Sequence, residues 1–138
     1  MKSGLDHASI LLEKAGNDLK LAEIGLEHGA PTDTIAFHVQ QAAEKTLKAL
    51  LASRLIVYTK THDLDELFDL LPSELAGVLS FREKLMGWTS YAVEMRYDIT
   101  GYPDTGEMQQ ALQTAQELRG AVLAVIPRHT GPEESETG

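Results

Sequence analysis

The fold is decided by a stretch near the start of the chain, LDHASILLEKAGNDLKLAEIGL at residues 5–26. Its apolar positions recur at alternating intervals of three and four residues, which places them along one face of an α-helix. These positions alternate between leucine and alanine: Leu5, Ala8, Leu12, Ala15, Leu19, Ala22 and Leu26. Because every second position is small, a neighbouring helix can approach closely. The stretch therefore predicts a long amphipathic helix packed against another helix.

Turn-forming residues divide the rest of the chain into further helical blocks. Gly29 and Pro31 end the first block, because glycine suits a helix C-terminus and proline the start of the next element. The other blocks are expected at residues 33–54, 63–71, 73–97 (with a bend near Ser80) and 104–126. Four long helices and one short helix, joined by short loops, predict an all-α antiparallel up-and-down four-helix bundle with an additional short helix.

Two segments do not fit a helical pattern. Residues 55–60 have β-propensity, but no second strand signal exists to pair with them, so we expect a buried connection. Residues 128–138 are rich in Glu and Gly and are expected to form a flexible acidic tail. The predicted helical domain therefore covers residues 1–127.

The composition fits one soluble domain. Of the 138 residues, 43% are apolar and 24% are charged, which is enough apolar material for a packed core. The absence of cysteine excludes disulfides, thiolate metal sites and cysteine catalysis. No apolar run is long enough to cross a membrane and the N-terminus lacks an apolar signal core, so we expect a cytoplasmic protein with no membrane partner. A net charge of -9 weighs against broad nucleic-acid binding, which depends on neutralising phosphates.

Three polar side chains fall within apolar helix faces. At about 100° per residue, Gln40 and Glu44 lie among leucines of the second block, and Arg96 lies in the apolar arc of the fourth. An unpaired buried carboxylate is costly, and arginine does not readily lose its proton. We therefore predict that Glu44 pairs with Arg96 and that Gln40 completes their hydrogen bonds. This group is either a structural polar brace that fixes helix register or part of a cleft in which Arg96 binds a phosphate.

A local basic segment runs from residue 45 to residue 62 of this acidic chain. It contains four cations and no acidic residue: Lys45, Lys48, Arg54 and Lys60. The segment is the best candidate for contact with a phosphate or an acidic partner, and a solvated face is the alternative interpretation.

The histidines do not indicate a metal site. His62 with Asp63 is either an acid–base pair or a helix cap. His38 is expected on the solvated face of the second block, with Lys45 and Lys48. Because no His-x-x-x-His spacing, P-loop or glycine-rich dinucleotide motif occurs, neither a metal nor a cofactor is predicted.

The second block resembles the signature helix of HEPN domains through the run AFHVQQAAEKTLKALL at residues 36–51. The segments Thr61–Leu64 and Met95–Tyr97 match further family features in the same order. The resemblance spans about residues 5–127 and implies a helical bundle that commonly dimerises. It also implies one of two functions. Some members are metal-independent ribonucleases, often toxins of toxin–antitoxin pairs, and others are non-catalytic partners of small nucleotidyltransferases that help to bind nucleotide or substrate.

The motif that the resemblance implies for the ribonucleases is broken in this chain. That motif is an arginine, then four to six residues, then a histidine that acts as general acid or base while the arginine holds the phosphate. Arg96 matches the arginine, but residues 97–102 contain no histidine, and the next one is His129 in the expected tail. Whether the chain is an enzyme therefore stays open, and we favour a non-catalytic protein.

The favoured function is a non-catalytic HEPN accessory protein that forms a homodimer and works with a small nucleotidyltransferase. It would present a cleft near Arg96, Tyr97, Lys45, Lys48 and His62 to a nucleotide or to the partner. One alternative is a HEPN ribonuclease toxin in which His62 or Tyr102 replaces the missing histidine. Another is the neutralising half of a toxin–antitoxin pair.

Overall fold

The computed structural model describes residues 4–88 and 103–127, and the regular structure of these ranges is helical throughout. The described ranges contain five α-helices: α1 (Gly4–Glu27), α2 (Thr32–Ser53), α3 (Leu64–Asp69), α4 (Ala76–Leu79) and α5 (Thr105–Val125). A 3₁₀ turn follows α4 at Glu83–Leu85. The prediction of an all-α helical bundle is confirmed. None of the described helices is long and apolar enough to cross a membrane. The expected tail at residues 128–138 lies outside the described ranges.

The helices α1 and α2 form an antiparallel pair. Gly4, at the start of α1, lies against Ala52 near the end of α2, and Gly25, near the end of α1, lies against Ile35 near the start of α2. A Cβ atom at Gly4 would come within 2.5 Å of the Ala52 carbonyl oxygen. Between these ends the small and large residues of the predicted α1 seam are buried: Ala8, Leu12, Ala15, Leu19 and Ala22. The alternation of leucine and alanine therefore has the packing role that the sequence predicted.

The helix α5 packs on this pair and runs antiparallel to α1. Its first turn is capped, since the Asp104 carboxylate accepts a hydrogen bond from the Glu107 N–H at 2.7 Å. Further along, the Arg119 Nε–H donates to the Leu12 carbonyl at 3.0 Å, and the guanidinium lies over Gly16. The three long helices thus share one core.

The fourth helical block is interrupted in its described part. A single bent helix was expected over residues 73–97, but α4 ends before Ser80, close to the expected bend. The 3₁₀ turn is then followed by extended backbone at Met86 (φ -61°, ψ 133°) and a left-handed Gly87 (φ 86°). Glycine adopts that conformation without the steric cost that a side chain would add. The expectation of one helix was wrong up to residue 88, and residues 89–102 lie outside the described ranges.

The connection between α2 and α3 lies on the surface, which corrects the expectation of a buried segment. Leu55 is 79% exposed and Val57 is 88% exposed, whereas Ile56 and Tyr58 are half-buried against the core. Successive side chains of an extended chain point to opposite sides. The β-propensity of this stretch therefore reflects an extended segment with one face on the bundle and the other face in solvent.

The helices α1 and α2 end in the same backbone motif. At the end of α1 the Ala30 N–H donates to the Gly25 carbonyl at 2.8 Å, around Gly29 with φ 74°. At the end of α2 the Ile56 N–H donates to the Leu51 carbonyl at 2.9 Å, around Leu55 with φ 58°. This is the Schellman motif, in which the left-handed position usually holds glycine. Leu55 therefore carries backbone strain that its exposed side chain does little to offset.

We expect Leu55→Gly to raise the free energy of unfolding by about 0.5–1 kcal/mol. Relief of the left-handed strain exceeds the extra entropy that glycine gives the unfolded chain. Gly29→Ala is the matched control and should lower the stability by a similar amount, because no atom lies within 4 Å of an added Cβ and only the backbone conformation is penalised. Urea unfolding measures both changes. A Leu55→Gly protein no more stable than wild type would contradict the strain.

Candidate functional site

A buried carboxylate on α2 lies at the centre of the candidate site. The Glu44 side chain is 6% exposed and is bound from three sides. Lys48 Nζ donates to its Oε2 at 2.9 Å, Gln40 Nε2 donates to its Oε1 at 3.3 Å, and His62 Nδ1 lies 3.0 Å from Oε1. Gln40 and Lys48 are one helical turn before and after Glu44, so the period of α2 brings all three to one face.

The segment before α3 is fastened to α2 through His62. The Gln40 amide donates to the His62 main-chain carbonyl at 3.3 Å as well as to Glu44. The Gln40 Oε1 in turn accepts from Gln41 Nε2 at 2.9 Å. Because Gln40 is fully buried, these bonds satisfy both ends of its amide. Main-chain and side-chain contacts therefore hold His62 in one position.

The His62 ring presents its second nitrogen on the solvent side. Its side chain is 65% exposed, although the carboxylate that binds Nδ1 is buried. A carboxylate bound to one ring nitrogen fixes the orientation of the ring and the tautomer. With Nδ1 donating to Glu44, Nε2 of the neutral ring is left as an acceptor.

The Asp63 carboxylate caps α3 and does not pair with His62. It accepts a hydrogen bond from the Asp65 N–H at 3.0 Å, and the Asp63 N–H donates to Thr61 Oγ1 at 3.0 Å. Of the two interpretations of the His62–Asp63 pair, the structure thus supports the helix cap. The acid that faces His62 is Glu44, which is 18 residues away in the chain.

Lys48 and Tyr58 extend the group around Glu44. The Lys48 Nζ lies 5.7 Å from the centroid of the Tyr58 ring, within the range of a cation–π contact. Burial, and secondarily the negative charge of Glu44, raise the pKa of Tyr58 above its ordinary value. Tyr58 is therefore a neutral hydroxyl group at physiological pH.

A second carboxylate binds two of the residues that were expected on a solvated face. Asp18 on α1 lies 2.9 Å from His38 Nδ1 and 2.6 Å from Lys45 Nζ. The side chains of Asp18 and His38 are 12% and 24% exposed, so the expectation that His38 is solvated was wrong. The contact joins α1 to α2 near their middle.

The basic segment carries less free charge than its sequence suggests. Lys45 is paired with Asp18 and Lys48 with Glu44. Within residues 4–88 and 103–127, Arg54 and Lys60 are the cations of the segment that form no ion pair. Sequence alone did not locate Asp18, because it lies on a different helix.

The remaining predicted site residues fall partly outside the description. Arg96 and Tyr97 are outside it, so the Glu44–Arg96 pair stays a prediction, whereas the expected Gln40–Glu44 bond is present. Among the described residues, no group of three or more histidine, aspartate or glutamate side chains is arranged to hold a metal.

Comparison with known proteins assigns this arrangement to a family. The model of the HEPN domain matches residues 8–125 of the sequence. The chain belongs to the HEPN domain family. The crystal structure of an archaeal HEPN homologue is similar over 92% of this chain and 100% of its own, with a TM-score of 0.64 and 21% sequence identity, and it shows the same fold. No curated protein matches the sequence. In this HEPN protein the helix that carries the family run is α2, which places Gln40 and Glu44 in the interior.

We expect Glu44→Ala to lower the free energy of unfolding by about 2–4 kcal/mol. It leaves the buried Gln40 amide and the nearly buried Lys48 ammonium without their acceptor. Glu44→Gln keeps an acceptor oxygen and should lose less. Glu117→Ala on the exposed face of α5 is the control and should change the stability by no more than about 0.5 kcal/mol. Urea unfolding of the three variants checks this order, and an unchanged midpoint for Glu44→Ala would contradict it.

Proposed function

We propose that this HEPN protein is a non-catalytic accessory protein that binds a nucleotide or substrate together with a small nucleotidyltransferase. The observation that carries the proposal is the absence of histidine from positions 101–103, where a spacing of four to six residues after Arg96 would place it. The general acid or base of the family's ribonuclease motif is therefore missing. A lone arginine can still bind a phosphate through its guanidinium fork.

The charges around Glu44 support binding at a small and defined site. Lys45 and Lys48 already neutralise carboxylates, which leaves them little attraction for a long polyanion such as RNA. His62 is the most exposed of the proposed binding side chains within the described ranges. The proposed contacts to a phosphate group are Arg96, with Tyr97 beside it, and the exposed nitrogen of His62.

We also propose that two copies of the chain associate. Large apolar side chains on α1 and α5 are exposed in the single chain, including Leu21 (51%), Ile24 (42%) and Leu123 (47%). Leu21 and Ile24 lie three residues apart on one face of α1, and exposed apolar surface of this kind favours self-association, most often with twofold symmetry. Such a dimer is compatible with a role as the neutralising half of a toxin–antitoxin pair.

The proposal predicts binding that titration calorimetry can measure, either to nucleoside triphosphates or, where one is encoded beside this chain, to a small nucleotidyltransferase. Arg96→Ala should weaken triphosphate binding by about tenfold or more, because a charge-assisted hydrogen bond is lost. Lys14→Ala removes one exposed charge from α1 and should have little effect. Light scattering should give twice the mass of the single chain. The absence of binding to the enzyme and to every triphosphate would refute the accessory function.

RNA cleavage is a second candidate function, and one observation favours it. The buried Glu44 holds His62 as a carboxylate holds a catalytic histidine, with the other ring nitrogen open to solvent. His62 would then replace the histidine that is missing after Arg96.

Incubation with single-stranded RNA separates the two functions. Under the accessory proposal, the purified chain leaves RNA intact. Cleavage that is lost in both His62→Ala and Arg96→Ala, and retained in His38→Ala, would establish the ribonuclease instead. His38 is a matched control because it too is bound through Nδ1 to a carboxylate.

A further inference from the structure

A shallow groove between the α2–α3 connection and α3 has no role in the function proposed above. Its volume is about 260 Å³, and its walls include Val57, Tyr58, Glu66, Asp69 and Leu70. This volume is below the usual range for small-molecule pockets, and the apolar side chains lie on its open rim. A groove of this shape fits a side chain presented by another protein better than a whole small molecule.

The apolar rim of the groove lowers the stability of the isolated chain, because it exposes apolar side chains to water. Val57 is 88% exposed and Leu70 is 40% exposed. Such exposure often occurs where a surface has a second use.

The charge of the groove selects the kind of partner. Glu66 and Asp69 line it, and none of the described residues that line it is a cation. Asp69 is bound by Arg82 Nη2 at 2.5 Å, whereas Glu66 forms no ion pair within residues 4–88 and 103–127. A ligand that covers Val57 and Leu70 would lie next to the Glu66 carboxylate. A lysine or arginine of the ligand would be favoured at that position, because its charge is opposite to that of Glu66.

We propose that this groove is a docking surface for a segment of a partner protein that carries apolar side chains flanked by lysine or arginine. The apolar side chains cover Val57 and Leu70, and a basic side chain pairs with Glu66. The surface extends the partner-binding function proposed above to a second contact. Its test requires neither a nucleotide nor a nucleotidyltransferase, so the two proposals can fail separately.

The test uses the full chain and two fluorescent peptides in about 0.15 M salt, where non-specific charge attraction is screened. One peptide alternates leucine with lysine, and the other has serine in place of each leucine. The leucine–lysine peptide should bind at least about tenfold more tightly in fluorescence anisotropy, because only it buries apolar surface. Equal binding of the two peptides, or no binding of the leucine–lysine peptide, would overturn the proposal.

Matched variants then locate the binding surface. Val57→Ser and Glu66→Gln should each weaken binding of the leucine–lysine peptide by about fivefold, through lost apolar burial and lost ion pairing. Met86→Ser and Glu27→Gln make the same kinds of change elsewhere, at an exposed apolar position after the 3₁₀ turn and at an exposed acidic position on α1, and should leave binding unchanged. Equal loss in the control pair would overturn the proposal.

Leu55→Gly is a further control, because the Leu55 side chain lies against Gly4 of α1 and does not line the groove. It should leave peptide binding unchanged, and a loss equal to that of Val57→Ser would overturn the proposal. If Val57→Ser instead halves the mass measured by light scattering, the groove is covered by a second copy of the chain and the proposal is wrong.

Discussion

The burial of one carboxylate constrains the arrangement around it. Glu44 lies in the interior of α2, where an ionised group is tolerated only if donors replace its lost water. Lys48 and Gln40 supply two donors from the same helix, and His62 supplies a third from a segment that has no regular structure. The need to satisfy this carboxylate therefore ties the irregular chain after α2 to the most buried helix of the bundle. Because Nδ1 of His62 contacts Glu44, Nε2 is the ring nitrogen that remains available for another contact.

Periodicity predicted the parts of the molecule that depend on neighbours in sequence. The seam of α1 and the inward positions of Gln40 and Glu44 follow from the helical repeat, and the cap at Asp104 follows from its spacing to Glu107. These features could be predicted because helix geometry alone sets the distances. The Lys48–Glu44 pair is also local, since residues four apart face each other on a helix, but Lys48 was expected on the solvated face, so this pair was not predicted.

Contacts between distant residues could not be predicted in the same way. No local pattern shows that His62 reaches Glu44, or that Asp18 on α1 reaches Lys45 on α2. The four cations of residues 45–62 were therefore a poor guide to the surface charge. Asp18 on α1 neutralises Lys45, and Glu44, directly before the segment, neutralises Lys48. The prediction of a single helix for the fourth block failed for a different reason. Apolar periodicity does not show that Gly87 adopts a left-handed conformation.

The left-handed conformation of Leu55 bears on which interactions determine the end of α2. At the end of α1, Gly29 itself favours termination of the helix, so the local sequence determines where α1 ends. Leucine favours the right-handed helix, so the local preference at Leu55 is for α2 to continue. What ends α2 there is the competition from tertiary contacts, namely Ile56 and Tyr58 against the core and His62 against Glu44. The length of α2 is thus a property of the assembled bundle, and local and global preferences are in conflict at this one residue.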